Sequence, residues 1–344
     1  MWRSLPGGSK KGLWPSMSSN SEPPFAPLPV LVPTVQIGFH KRLVDAQSAF
    51  LLPALLSQVA TVDIAQLDQE LHSLAGSKKL QLAAHHGLRG ELLFPVPCIL
   101  QQKPVLIAYY RLLLGFSQKE FYKPPFGIFA RMETRGTQAE KVATMLPALC
   151  LSLTESAWML ASEIPIISLD ILHALTLLTL GSQFRGSYNT LLGQRATKRV
   201  FEIIRRIVSA AIQSEDSTSI VIRNAAGRNV RIEFAPDPDI AVREQLSSGR
   251  FNNRIAIEIK GGRDISNIHN RLGEAEKSHQ NARDQGFTQF WTIVNVKSLN
   301  LEAARRESPT TTAFFSIDQI ADHTTAEHAE FKELLVAELG LSAG

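Results

Sequence analysis

Apolar residues recur at helical spacing from about Lys41 to Leu180. Leu51, Leu52, Leu55, Leu56 and Val59 form one stripe; Leu106, Tyr109, Tyr110, Leu112, Leu113 and Leu114 form another. Pro95, Pro97, Pro104, Pro124, Pro125, Pro147 and Pro165 interrupt the pattern, which predicts many short helices. The most apolar stretch, Ile164 to Gly181, carries Pro165, Asp170 and His173 and is short for a membrane span, so it reads as buried helix. His173 on that face is expected to be a satisfied core histidine.

The pattern changes after Gly181. Gln194 to Ile212 predicts a basic amphipathic helix, with Arg195, Lys198, Arg199, Arg205 and Arg206 between Val200, Ile203, Ile204, Ile207 and Val208. Strands follow at Ser219 to Arg223, Asn229 to Phe234, Ile240 to Val242 and Arg254 to Lys260, with a turn at Asn224 to Gly227. Asn270 to Gln285 predicts a polar helix stopped by Gly286, Phe287 to Val296 an apolar strand, and Ala313 to Ile317 one more. Thr325 to Leu339 predicts a closing amphipathic helix. The order is that of an α/β or α+β sheet region behind a helical one. The chain divides into an extension, 1–22, a mainly helical region, 23–180, and a sheet-bearing region, 181–344.

Composition narrows the class. With 344 residues, 44% of them hydrophobic, the chain can build a sizeable core. Lys and Arg total 36 against 32 Asp and Glu, a net charge of +4 that permits a polyanionic partner without requiring one. Two cysteines, Cys98 and Cys150, suggest no disulfide framework, fit a reducing cytoplasm and read as small buried hydrophobes. The first 22 residues lack the apolar run of an export signal and are rich in Ser, Gly, Pro and Lys, so disorder is expected there; Met17 offers an alternative start. Residues 23 to 34 are proline-rich and expected to be extended.

One constellation carries chemistry: PDPDIAV, Pro236 to Val242, followed by IAIEIKGG, Ile255 to Gly262. On a strand, residues i and i+2 share a face, so Glu258 and Lys260 project together while Ile257 and Ile259 enter the core. If the two strands pair as a hairpin, Asp239 falls beside them. Two carboxylates can hold Mg²⁺, which favours oxygen ligands. The ion activates water and stabilises phosphate charge, and a neighbouring lysine orients the water or neutralises developing charge. This set suits phosphodiester hydrolysis, with Asp239, Glu258 and Lys260 as catalytic residues and Asp239 and Glu258 as metal ligands. Asp239 leads directly into Ile240, Ala241 and Val242, which favours it over Asp237; both stay open.

Glu-x-Lys alone is a weak signal, arising at roughly one position in 300 at average composition. A second copy, Glu330 to Lys332, falls in the helical tail, where it reads as a solvated face. The bland reading of the first copy is an ion pair on an exposed strand, but the flanking isoleucines, the Pro-Asp and the closing Gly-Gly argue against it. Glu202, amid the basic helix, is either a further metal ligand or the salt-bridge partner of Lys198 or Arg206. The helix's arginines are either phosphate contacts or a solvated face. After Gly262 the chain is unusually polar. Arg263, Asp264, Asn267, His269 and Arg271 are side-chain types that read base edges, with Lys277 beyond them; the alternative is a solvated loop with Ser266 or Asn267 capping the helix. His269 and His279 lack the cysteines of a zinc site.

The run EIKGGRDISNIHNRLGEAEKSH, Glu258 to His279, resembles the XcyI-type restriction endonucleases, as do YYRLLLGFSQKEFY, Tyr109 to Tyr122, and RGSYNTLLGQRA, Arg185 to Ala196. The resemblance spans most of the chain from about residue 35 and leaves out the segment before Pro23. It implies a restriction-endonuclease-like α/β fold of the PD-(D/E)xK kind, with a mixed central sheet flanked by helices. It also implies Mg²⁺-dependent cutting of both strands of double-stranded DNA at a palindrome, CCCGGG, after the first cytosine, leaving 5′-phosphates. The implied enzyme is a homodimer whose companion DNA methyltransferase is a functional and not a physical partner. Asp239, Glu258 and Lys260 match the family's metal and catalytic positions; Arg263, Asp264 and Arg271 suit a site made only of G·C pairs. Other readings are a repair or junction-resolving nuclease of the same core, an inactive DNA-binding protein, or a structural helical protein.

Overall fold

The computed structural model of the chain describes residues 28, 30–262, 267–296 and 299–341. The disorder expected of residues 1–22 lies outside the described residues, as do Arg263 and Asp264. The proline-rich residues 30–33 are non-helical and exposed, and the first helix starts at Thr34.

The prolines do cut the first half into short helices. They are α1 (Thr34–Ala49), α2 (Leu52–Val59), α3 (Ile64–His85), α4 (Pro97–Gln102), α5 (Ile107–Leu113), α6 (Gln118–Phe121), α7 (Ala130–Arg135), α8 (Glu140–Ala143) and α9 (Leu146–Glu163). Pro53, Pro97 and Pro147 each occupy a first turn, where the missing N–H costs nothing. Helix α3 is broken at Gly76, whose φ of 70° suits glycine. These helices share a core that includes Leu67, Phe94, Ile99, Tyr109, Met132, Cys150 and Leu153. Tyr109 and Tyr110 are fully buried, and their hydroxyls donate to the carbonyls of Leu92 (2.9 Å) and Glu91 (2.8 Å). Cys98 and Cys150 are buried free thiols, as expected; burial pushes the Cys98 thiol up to about 12.

Within the same region Arg111, 1% exposed, forms a two-pronged pair with Glu133 (2.8 Å on each prong). Tyr122 and Gln118 donate to the same carboxylate, each at 2.6 Å. Burial pushes Glu133 upward, but these bonds outweigh it and hold the carboxyl below its usual range.

The expected helix 194–212 is part of something longer. Helix α10 (Leu169–Ile207) runs 39 residues without a break, capped by Ser168, and Ile212 already belongs to a strand. Gly181, Gly186 and Gly193 suggest breaks by propensity, yet packing overrides them: Leu180 and Phe184 bury against α1 and Leu112, and Ala196, Val200, Ile203 and Ile204 bury against the sheet. His173 on α10 differs from the expectation too. It is half-buried, and its Nδ1 lacks a hydrogen-bond partner among the described residues. No single described helix is long and apolar enough to cross a membrane.

Seven strands form one sheet in chain order: β1 (Ile212–Glu215), β2 (Ser219–Arg223), β3 (Asn229–Phe234), β4 (Ile240–Gln245), β5 (Phe251–Lys260), β6 (Gln289–Val294) and β7 (Ala313–Ser316). The first five pair antiparallel; β6 and β7 add on in parallel. Parallel neighbours need crossovers, supplied by α11 (Ile268–Asp284) and α12 (Leu301–Glu307). Two helices end the chain, α13 (Ile317–Ala321) and α14 (Ala326–Leu339). Strand alternation divides the sheet faces. Ile240, Val242, Ile255, Ile257 and Ile259 pack with α10 and α14, while Ala241 and Ala256 pack with Ala282 of α11. The small alanines let α11 lie close to β4 and β5. The result is a mixed α/β sheet behind a helical region, consistent with the restriction-endonuclease-like fold.

Candidate active site

Strands β4 and β5 pair as the expected hairpin, with Ile240 opposite Ile257. Asp239 immediately precedes β4, one residue before that pair. Asp239 Oδ2 accepts from the backbone N–H of Ile259 (2.7 Å), which fixes its carboxylate against the end of β5. Lys260 Nζ donates to Glu258 Oε1 (2.8 Å), so the two side chains do share a face. The ion pair considered for an exposed strand therefore forms, but under cover: Glu258 is 9% exposed. Glu274 of α11 lies 3.7 Å from the same ammonium.

Negative charge is crowded here. Burial first, and Glu258 second, push the Asp239 carboxyl up to about 6, against the opposing pull of the Ile259 N–H and Lys260. A cation between the two carboxylates would relieve that crowding. Among the described residues no three His, Cys, Asp or Glu side chains stand close enough to hold a metal by themselves. Mg²⁺ does not need three, because it binds through one or two carboxylates and keeps several waters. The oxygen donors of Asp239 and Glu258 thus fit this ion.

A cleft of about 560 Å³ opens beside Asp239, between α10 and the sheet. Gln194, Thr197, Lys198 and Glu202 line its α10 wall, and Asp239 and Ile259 its sheet wall. Glu202 makes no salt bridge among the described residues; Arg206 reaches only its carbonyl (3.2 Å). The basic helix also sorts itself. Arg199 pairs with Asp318 (2.6 Å) and Arg205 with Glu215 (2.6 Å), while Lys198 lines the cleft.

The first glycine after Lys260 has a steric cause. A Cβ at Gly261 would stand 2.6 Å from the Ala196 Cβ and 3.0 Å from the Leu192 carbonyl oxygen of α10. A Cβ at Gly262 would overlap the Arg271 guanidinium. Strand β5 therefore ends in direct contact with α10, and this contact sets where Lys260 emerges.

The other residues predicted to bind DNA lie on and before α11. Arg271 is half-buried beneath Gly262. Asn267 occupies the N-cap position without capping by its side chain and instead accepts from Asn270 (2.9 Å). His269 contacts Glu307 of α12 through Nδ1, and Lys277 is exposed. Sequence reasoning missed Ser278 and Asn281 of α11. Ser278 Oγ bonds to Asp237 Oδ1 and to Glu258 Oε2 (2.9 Å), and Asn281 Nδ2 donates to Asp237 Oδ2 (3.1 Å). Asp237 is thus turned toward α11, whereas Asp239 lines the cleft.

The chain matches the XcyI restriction endonuclease family over residues 40–342. It is 43% identical over 317 residues to the Type II restriction enzyme Cfr9I of Citrobacter freundii, covering 90% of this chain and 96% of that enzyme. It is also 43% identical over 311 residues to the Type II restriction enzyme XcyI of Xanthomonas campestris pv. cyanopsidis, covering 89% and 93%. With the family match spanning most of the chain, it belongs to the XcyI restriction endonuclease family and so to the Type II restriction enzymes, which are site-specific deoxyribonucleases.

Proposed function

We propose that this enzyme hydrolyses both strands of the palindrome CCCGGG after the first cytosine, leaving 5′-phosphate ends, with Mg²⁺ as cofactor. The observation that carries the catalytic part is the grouping of Asp239, Glu258 and Lys260 at one end of the β4–β5 hairpin. The target comes from the family resemblance of residues 258–279. A palindrome is most simply read by a twofold-symmetric protein, so the active form is a homodimer. It works in the cytoplasm beside a methyltransferase that protects host DNA.

Asp239 and Glu258 would hold the metal, which supplies Lewis acidity and a more acidic water. The Ile259 N–H keeps the Asp239 carboxylate aimed. Lys260, tied to Glu258, would orient the attacking water or neutralise the charge that develops on the scissile phosphate. Glu202, which lines the cleft with Asp239, would add a further carboxylate for the metal, and Lys198 would contact a backbone phosphate. Arg263, Asp264, Asn267, His269 and Arg271 are the proposed base readers and Lys277 a further DNA contact. His269 would have to give up Glu307 to reach a base.

The test is digestion of a plasmid carrying one CCCGGG site and unrelated CCGG sites, in Mg²⁺ and in Ca²⁺. One linear product with 5′-phosphate ends inside CCCGGG, in Mg²⁺ only, is expected, because Ca²⁺ supports binding but activates water poorly. Cutting elsewhere would discard the target. DNA binding without cutting in any divalent metal would overturn the catalytic reading.

A further inference from the structure

Helix α11 meets the sheet through Ala275, Ser278 and Ala282, a row of small buried residues. Its neighbours in the row show that an alanine would fit at 278, so packing alone does not call for a hydroxyl there. That hydroxyl lies between two carboxylates: it bonds to Asp237 Oδ1 and to Glu258 Oε2 (2.9 Å). With one hydrogen to give, it serves one of them at a time and so couples their orientations. The far oxygen of Asp237 is held by Asn281 (3.1 Å), and the other oxygen of Glu258 by Lys260 (2.8 Å). Asp237 is separated from Asp239 only by Pro238. One turn of α11 therefore grips Glu258 directly, and grips through Asp237 the segment that delivers Asp239.

We propose that Ser278 is a positioning residue for the metal site, and that Asp237, clamped by Ser278 and Asn281, is a strut and not a metal ligand. Ser278 decides which way the Glu258 carboxylate faces, and the strut keeps Asp239 in register with it. The proposal rests on the reading that Glu258 and Asp239 hold the ion. Partners of this kind, one bond removed from a metal, typically alter affinity or activity by about 10–100-fold when lost.

The experiment compares wild type, Ser278→Ala, Asn281→Ala and Glu258→Ala. It measures Mn²⁺ binding to the DNA-free protein, the Mg²⁺ concentration giving half-maximal cleavage, and the melting temperature. Ser278→Ala is expected to melt near wild type and to bind Mn²⁺ about 10–100-fold more weakly. Its Mg²⁺ half-saturation should rise in parallel, with cleavage recovering at high Mg²⁺. Asn281→Ala, changed at an exposed position, should move the same way by less. Wild-type Mn²⁺ affinity and Mg²⁺ dependence in Ser278→Ala overturn the proposal. If Ser278→Ala does not fold, Asn281→Ala decides: a raised Mg²⁺ requirement supports the strut and an unchanged one overturns it. Glu258→Ala separates the two levels. Should it keep full metal binding and cleavage, the metal-site reading itself fails; should it lose both while Ser278→Ala loses neither, only the positioning role fails.

Discussion

Asp239 takes its 2.7 Å hydrogen bond from the backbone N–H of Ile259, the residue lying between Glu258 and Lys260 on the partner strand. A single backbone contact thus locks the first carboxylate to the segment that carries the second carboxylate and the lysine. Asn at 239 could still accept that bond but would carry no charge. Asp239→Asn is therefore expected to keep the fold while cleavage drops by about 100-fold or more. Cleavage rate and melting temperature, measured together, check this; near-normal cutting would remove Asp239 from the metal site.

Gly261 touches Ala196 and Leu192 of α10 so closely that a methyl group has no room. Gly261→Ala must push β5 away from α10, at about 1–3 kcal/mol by the usual cost of overpacking. Because Lys260 is the adjacent residue, cleavage should fall further than stability alone explains. Denaturant unfolding alongside cleavage under conditions where the variant is folded separates the two effects.

The Arg111–Glu133 pair lies in the helical region, among α5, α6 and α7. Glu133→Ala would leave a guanidinium buried without its partner, at about 3–5 kcal/mol. The Mg²⁺ dependence of the folded fraction should not change. Unfolding and metal titration on the same sample would show whether stability and catalysis separate in this way.

His279 is fully buried behind the site, with Nε2 2.9 Å from the Thr292 hydroxyl. Burial holds its ring down from 6.5 to about 4. Between those values the unfolded chain takes up a proton that the folded chain refuses, so stability falls as pH drops from about 6.5 towards 4. His279→Gln should flatten that part of the stability profile by on the order of 2–3 kcal/mol. An identical acid slope in both proteins would contradict it.

Much of the sheet was legible because its alternation is regular. Ser219–Arg223 and Asn229–Phe234 form strands with the expected bounds, and the isoleucines of β5 bury opposite the Glu258–Lys260 face. Helix α10 was harder to read, because three glycines imply breaks that tertiary packing overrides. The Gly-Gly after Lys260 was visible, but the helix it touches is nearly seventy residues earlier and no local pattern links them. Ser278 left almost no trace. A serine in a polar helix looks solvent-facing, and only its place in the row with Ala275 and Ala282 marked it as buried. Asp237 and Asp239 could not be separated by spacing; their hydrogen-bond partners set them apart.

The most direct test of the central claim is single-turnover cleavage of a CCCGGG duplex in Mg²⁺ by wild type and Lys260→Ala. Their folding and their DNA binding in Ca²⁺ should first be shown to match. The account predicts equal binding and a loss of cleavage of about 100-fold or more, because the variant loses both the positive charge proposed to act on the scissile phosphate and the bond that holds Glu258 Oε1. Cleavage by Lys260→Ala at the wild-type rate would contradict it and place the cutting centre elsewhere.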